Sequence, residues 1–93
     1  MILGYRDKRT EQIANGTIRK GFPKELVRRA QMKLAAMAAA VELRDLSFPP
    51  GNRLHALSGD RTGQHAISIN DQWRICFVWT NTGPDQVEIC DYH

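Results

Sequence analysis

Apolar residues fall three or four apart through the first half of the chain: Leu26 or Val27, then Ala30, Leu34, Met37 and Val41. That spacing puts them on one face of a helix and predicts a helix over residues 23–40. Pro23 suits the first helical position and Glu25 the positive end of the helix dipole. Lys24, Arg28, Arg29 and Lys33 lie largely off the stripe, and the alanines at the far end allow close approach to a sheet. At this spacing the Met and Leu positions read as core, not as a ligand box. A shorter polar helix is expected over residues 7–15, stopped by Asn15-Gly16, and a short strand over residues 2–6.

After Pro49-Pro50-Gly51 the period changes from helical to alternating. Residues 53–57, 64–69, 72–79 and 86–91 read as strands. Gly59-Asp60 begins one turn, Asn70-Asp71 fits a two-residue hairpin turn of the primed type, and residues 81–85 make the last connection. Helices followed by consecutive hairpins imply an α+β fold, with N-terminal helices packed on one face of a mainly antiparallel sheet. Alternation separates Trp73, Ile75, Phe77 and Trp79 from Arg74, Cys76 and Val78. The aromatic set is expected to meet the helices, which leaves Arg74 on the opposite, open face. His55 shares its parity with Arg53 and Leu57, so that face can be both basic and histidine-bearing.

Ninety-three residues are expected to form a single domain, 1–93. No stretch approaches a membrane span, and MILGYRDKRT is charged too early for a signal peptide, so a soluble cytoplasmic protein with no membrane partner is expected. Cys76 and Cys90 have no metal-ligand spacing. If the last two strands pair, the cysteines could sit opposite each other, and either a cross-strand disulfide or two small reduced side chains would result. The net charge of +3 is unevenly distributed: residues 1–33 hold nine Lys/Arg against three Asp/Glu, and the rest hold four against seven. Such a block suggests an anionic partner for the N-terminal part.

The most unusual chemistry lies in the last three positions, where Asp91, Tyr92 and His93 follow directly on a strand. RNA can be cut by its own 2′-hydroxyl if one group takes the proton and another protonates the leaving 5′-oxygen. Histidine suits both roles near neutral pH. Arginine can stabilise charge on the phosphate, and tyrosine can stack on a base or orient the phosphate. His55, His93, Arg74 and Tyr92 supply these parts, and Arg61 could reach a phosphate. Each also has a plainer explanation. His55 and His65 can be sheet-surface residues, Arg74 a cross-strand ion-pair partner, Tyr92 an amphipathic edge residue and Asp60-Arg61 a simple turn.

Taken jointly, RLHALSGDRTGQHAISINDQWRICFVW, the helical ELVRRAQMKLAAMAAAVELRDL and the terminal DYH resemble the HigB toxins of the RelE superfamily, also called plasmid-maintenance killer proteins. The most specific elements are L-H-x-L-x-G-D-R, the W-R-I-x-F strand and DYH. The resemblance implies a fold like that of RelE and the microbial ribonucleases, and a bacterial type II toxin that cleaves mRNA on the ribosome. It implies catalytic roles for His55, Arg74, Asp91, Tyr92 and His93, with Arg53 and Arg61 as RNA contacts and no metal or organic cofactor. The implied partner is a helix-turn-helix antitoxin, through which alone the complex would meet operator DNA. Some family members have L-K-G-D-R where this chain has Leu57-Ser58-Gly59-Asp60-Arg61, so a phosphate-binding lysine would be absent. Two other readings compete. One is a ParE-like gyrase poison acting by protein contacts, and the other a ribosome-binding protein of weakened catalysis.

Overall fold

The computed structural model describes residues 1–17 and 21–91. Asp7 starts the first helix, α1 (Lys8–Asn15): its extended backbone lets Oδ1 accept from the Thr10 N–H at 2.9 Å. Gly16, at φ 79°, ends it by donating to Gln12 and Ile13 carbonyls. After Pro23 a 3-10 turn (Lys24–Leu26) leads into α2 (Val27–Ala39), which buries Val27, Ala30, Leu34 and Met37. The expected stripe is therefore present except for Val41, which is 83% exposed. Ala40 leaves the helix with ψ 135°, so the 3.6-residue period stops before Val41 can turn inward.

Four strands follow, β1 (His55–Ala56), β2 (His65–Ser68), β3 (Trp73–Thr80) and β4 (Gly83–Asp91), in one antiparallel sheet of order β1-β2-β3-β4. Ile67, Trp73, Ile75, Phe77, Val87 and Ile89 meet Ile13, Ala30, Leu34 and Met37 in the core, with Trp79 partly buried against them. Phe22 packs edge-on against Trp73, with ring centroids 5.0 Å apart. The α+β architecture with helices on one sheet face is thus the one the sequence predicts.

Local geometry departs from the expected strands in four places. The segment 53–57 narrows to a two-residue ladder because Arg53 takes the left-handed conformation, φ 50°. Asn70-Asp71 is not a primed turn, since neither residue has positive φ. Instead the Asn70 side chain accepts from the N–H groups of Gln72 (2.9 Å) and Trp73 (2.7 Å), and Trp73 O accepts from Ile69 and Asn70. Residues 2–6 give only a parallel bridge, Tyr5 to Val87. β4 carries a bulge: Cys76 pairs with Glu88 but Val78 pairs with Asp85, so Gln86 and Val87 together oppose Phe77. Gln86 absorbs the extra residue at φ 51°, Val87 turns fully into the core, and Glu88 faces the other side.

β4 is an edge strand, and the N-terminal segment covers its outer side. Leu3 N donates to Pro84 O, Val87 N to Gly4 O, and Arg6 N to Val87 O. Gly83 must be glycine there: its φ is 139°, and a Cβ would collide with the Met1 carbonyl oxygen. α1 then takes the next exposed peptide, Thr10 Oγ1 accepting from Ile89 N at 2.9 Å and Arg9 Nη2 donating to Ile89 O at 2.9 Å. Thr10 is fully buried, and the Arg9 guanidinium lies 5.4 Å over the Trp73 ring. Replacing Thr10 with Val keeps the volume but orphans the Ile89 N–H. Urea unfolding is expected to show a loss of about 1–3 kcal/mol, the cost of a buried unpaired donor; an unchanged midpoint would mean that water replaces the hydroxyl.

Candidate active site

The side of the sheet away from the helices is organised by the strand register. Residues paired across antiparallel strands share a face, so His55, Ala66, Cys76 and Glu88 form one row across β1 to β4. Ser68, Arg74 and Cys90 form the next. Small residues make the floor, with Ala66, Cys76 and Cys90 buried beside Leu57. His55 at the β1 edge and Arg74 on β3 are two strands and one row apart, roughly 12 Å by strand and residue spacing. Both side chains therefore belong to the same sheet face, in adjacent rows.

His55 is exposed, and its Nδ1 lies 2.7 Å from the Arg53 carbonyl oxygen. A carbonyl only accepts, so Nδ1 carries the proton and Nε2 is the atom left to exchange one. The left-handed backbone at Arg53 aims that carbonyl at the ring. It also breaks the expected parity between Arg53 and His55: the Arg53 side chain forms an exposed ion pair with Asp71 at 3.9 Å.

Arg61, from the 3-10 turn Gly59–Arg61, reaches over the open face. Its Nη1 is 3.1 Å from Glu88 Oε1 and donates to Gln64 Oε1 at 3.1 Å. Burial opposes the guanidinium charge, but the Glu88 bond and the nearby Cys90 and Cys76 sulfurs outweigh it and raise its pKa. Glu88 was hidden in the sequence because alternation in QVEIC gives no phase until the bulge at Gln86 is known. Ser58 is an exposed residue preceding this turn.

The cysteines are free and diagonal to one another, Cys76 opposite Glu88 and Cys90 opposite Arg74. A hydrogen bond from Cys90 brings the Cys76 thiol down to about 7; burial opposes this, and the Arg61 and Arg74 charges assist it. The same bond, with burial, pushes Cys90 upward.

Asp91 is paired with Trp73, which places it on the helix side, away from His55 and Arg74. There its carboxylate is exposed and accepts from Gln72 Nε2 at 3.3 Å. Tyr92 and His93 lie outside the described residues. His65 is half-buried instead of sitting on the sheet surface. Its ring stacks on Phe77 with centroids 6.2 Å apart.

The class is thus a small α+β protein whose helices pack on one sheet face, while the other face carries His55, Arg61 and Arg74 and, among the described residues, no helix. A family model described as the RelE-like toxin HigB of type II toxin–antitoxin systems matches residues 3–93, and this chain belongs to that family. Toxin HigB-1 of Vibrio cholerae is 34% identical over 82 residues, spanning 87% of this chain and 86% of that protein. Endoribonuclease HigB of Proteus vulgaris is 30% identical over 93 residues and covers both chains fully. The solution structure of a conserved hypothetical protein from Helicobacter pylori shares the fold, with a TM-score of 0.61 at 12% identity, over 99% of this chain and 96% of its own. The protein is accordingly a toxin partnered by an antitoxin. Among the described residues, no helix is long and apolar enough to cross a membrane.

The thiol pair gives a direct test of the open-face electrostatics. Changing Cys90 to Ala removes the donor, so Cys76 should titrate above its present value of about 7 when followed by thiolate absorbance. An unmoved midpoint would assign the low pKa to Arg61 and Arg74 instead.

Proposed function

We propose that this toxin is an endoribonuclease that cuts mRNA on the ribosome by acid–base chemistry at the open face. The observation that carries this reading is His55: its ring is oriented through Nδ1 by the Arg53 carbonyl, which leaves Nε2 to exchange a proton on the sheet face that also carries Arg74. The family membership and the relative named Endoribonuclease HigB support the substrate class. Nε2 of His55 exchanges one proton, either from the 2′-hydroxyl or to the 5′-oxygen. His93 is the proposed partner for the other transfer. Arg74 stabilises the phosphate as it gains charge, and Tyr92 positions the substrate. The products are a 2′,3′-cyclic phosphate and a 5′-hydroxyl.

Arg61 and Arg53 contribute differently. Arg61 is held by Glu88, so it reaches RNA as part of an ion pair with a reduced net charge. Arg53 meets RNA through an exposed side chain while its carbonyl orients His55. Asp91, whose register with Trp73 puts it on the helix side and outside the row of His55, orients or polarises a neighbouring group. Operator DNA is met only through the antitoxin, whose helix-turn-helix domain reads it.

Translating ribosomes programmed with a defined mRNA, and gyrase with relaxed plasmid, separate this reading from a gyrase poison. Cleaved mRNA with unimpaired supercoiling is the expected pair of results. Changing His55 to Ala should lower single-turnover cleavage roughly 100-fold or more while ribosome binding persists. A variant that cleaves normally once bound would move His55 from chemistry to docking.

A further inference from the structure

Away from the open face, the outer side of α2 and the segment 48–52 enclose a groove of about 540 Å³. Its centre is apolar and exposed: Met32 is 66% and Phe48 74% accessible, and both line the same cavity. Single exposed apolar side chains are ordinary, but two large ones converging on one concave surface mark a place for another molecule. The rim is positive. Arg28, Arg29 and Lys33 line it against a single carboxylate, Glu25.

Two of these cations are fixed before any partner arrives. Arg29 Nη1 donates to Ile69 O at 3.1 Å, and the Lys33 ammonium donates to Asn52 Oδ1. Burial, and then the charge of Arg29, lower the Lys33 pKa, so its charge lacks compensation that a carboxylate would supply. Fixed side chains lose little freedom when bound. This chemistry suits protein better than nucleic acid. Phosphate binding favours cations free to reach outward, whereas here the centre is aliphatic and aromatic and two of the three cations already serve protein oxygens.

We propose that this groove seats a segment of the antitoxin bearing apolar anchors flanked by carboxylates. The proposal rests on the family membership, which supplies a protein partner, and not on the catalytic reading. Bound there, the antitoxin contacts the helix layer, and the surface presenting His55 and Arg74 is on the other side of the sheet.

The double substitution Met32→Glu and Phe48→Glu tests it with the full-length cognate antitoxin, purified and co-expressed. Growth inhibition by the variant alone should match the parent, while its affinity for antitoxin by calorimetry should fall roughly 30-fold or more, the scale of interface hot spots. Neutralisation on co-expression should fail. The exposed single change Arg28→Glu provides a second arm if the double variant misfolds by circular dichroism; it should weaken binding and flatten its salt dependence. Unchanged antitoxin affinity in folded variants overturns the proposal. So does loss of ribosome association with antitoxin binding intact, which would assign the groove to RNA. If the parent toxin cuts no mRNA, the catalytic reading fails, and the calorimetry still decides the groove.

Discussion

The fold depends on how the outer edge of β4 is closed. A sheet edge presents a row of unpaired N–H and C=O groups, and β4 carries Glu88 and Cys90 of the open face. The chain's first residues satisfy this edge in sequence: backbone from Leu3, Gly4 and Arg6, then side chains from Arg9 and Thr10. The same contacts dock α1 over Trp73 and Ile89, so edge protection and core formation are one event. Three of the N-terminal basic block's residues have structural duties. Arg9 caps the Ile89 carbonyl, Arg29 caps that of Ile69, and Lys33 donates to Asn52.

With β4 held, the open face becomes a surface of fixed charges over a floor of small side chains. Ala66, Cys76 and Cys90 are too short to rise above the sheet, which leaves room for Arg61 to lie across them and meet Glu88. That ion pair is partly shielded from solvent at both ends, so it holds the turn 59–61 in place instead of fluctuating as a surface pair would. His55 stands at the other end of the same row, with its ring orientation set by a backbone carbonyl. Charge is distributed along a line from β1 to β4, from His55 to the Arg61–Glu88 pair.

Periodicity revealed most of this architecture. The α2 stripe, the β3 alternation and the placing of Arg74 opposite the helices follow from spacing alone, because burial enforces the period wherever one face is packed. What spacing could not give was the effect of single backbone conformations. Left-handed φ at Arg53 ended a strand that composition favoured, and Asn70 used its side chain to build a turn its sequence assigned to another type. Val41 was lost from the stripe by one extended ψ at Ala40. At the site, His55 was legible as a motif residue, but its orienting partner is a carbonyl, which no side-chain pattern reports. Asp91 belonged to a legible motif too, yet its face is decided by register with Trp73.

The bulge at Gln86 gives β4 two phases in one strand. On its N-terminal side the alternation is set by the hairpin at Thr80 and Gly83, and on its C-terminal side by pairing with Cys76 and Arg74. The extra residue works as a half-turn coupling between two threaded rods. Without it, Val87 and Ile89 would be turned to solvent, while Glu88 and Cys90 would be driven into the hydrocarbon of the core. Drift in the length of this segment is therefore forbidden even where its side chains are free to vary. Among related chains, β4 should tolerate many substitutions and almost no single-residue gaps.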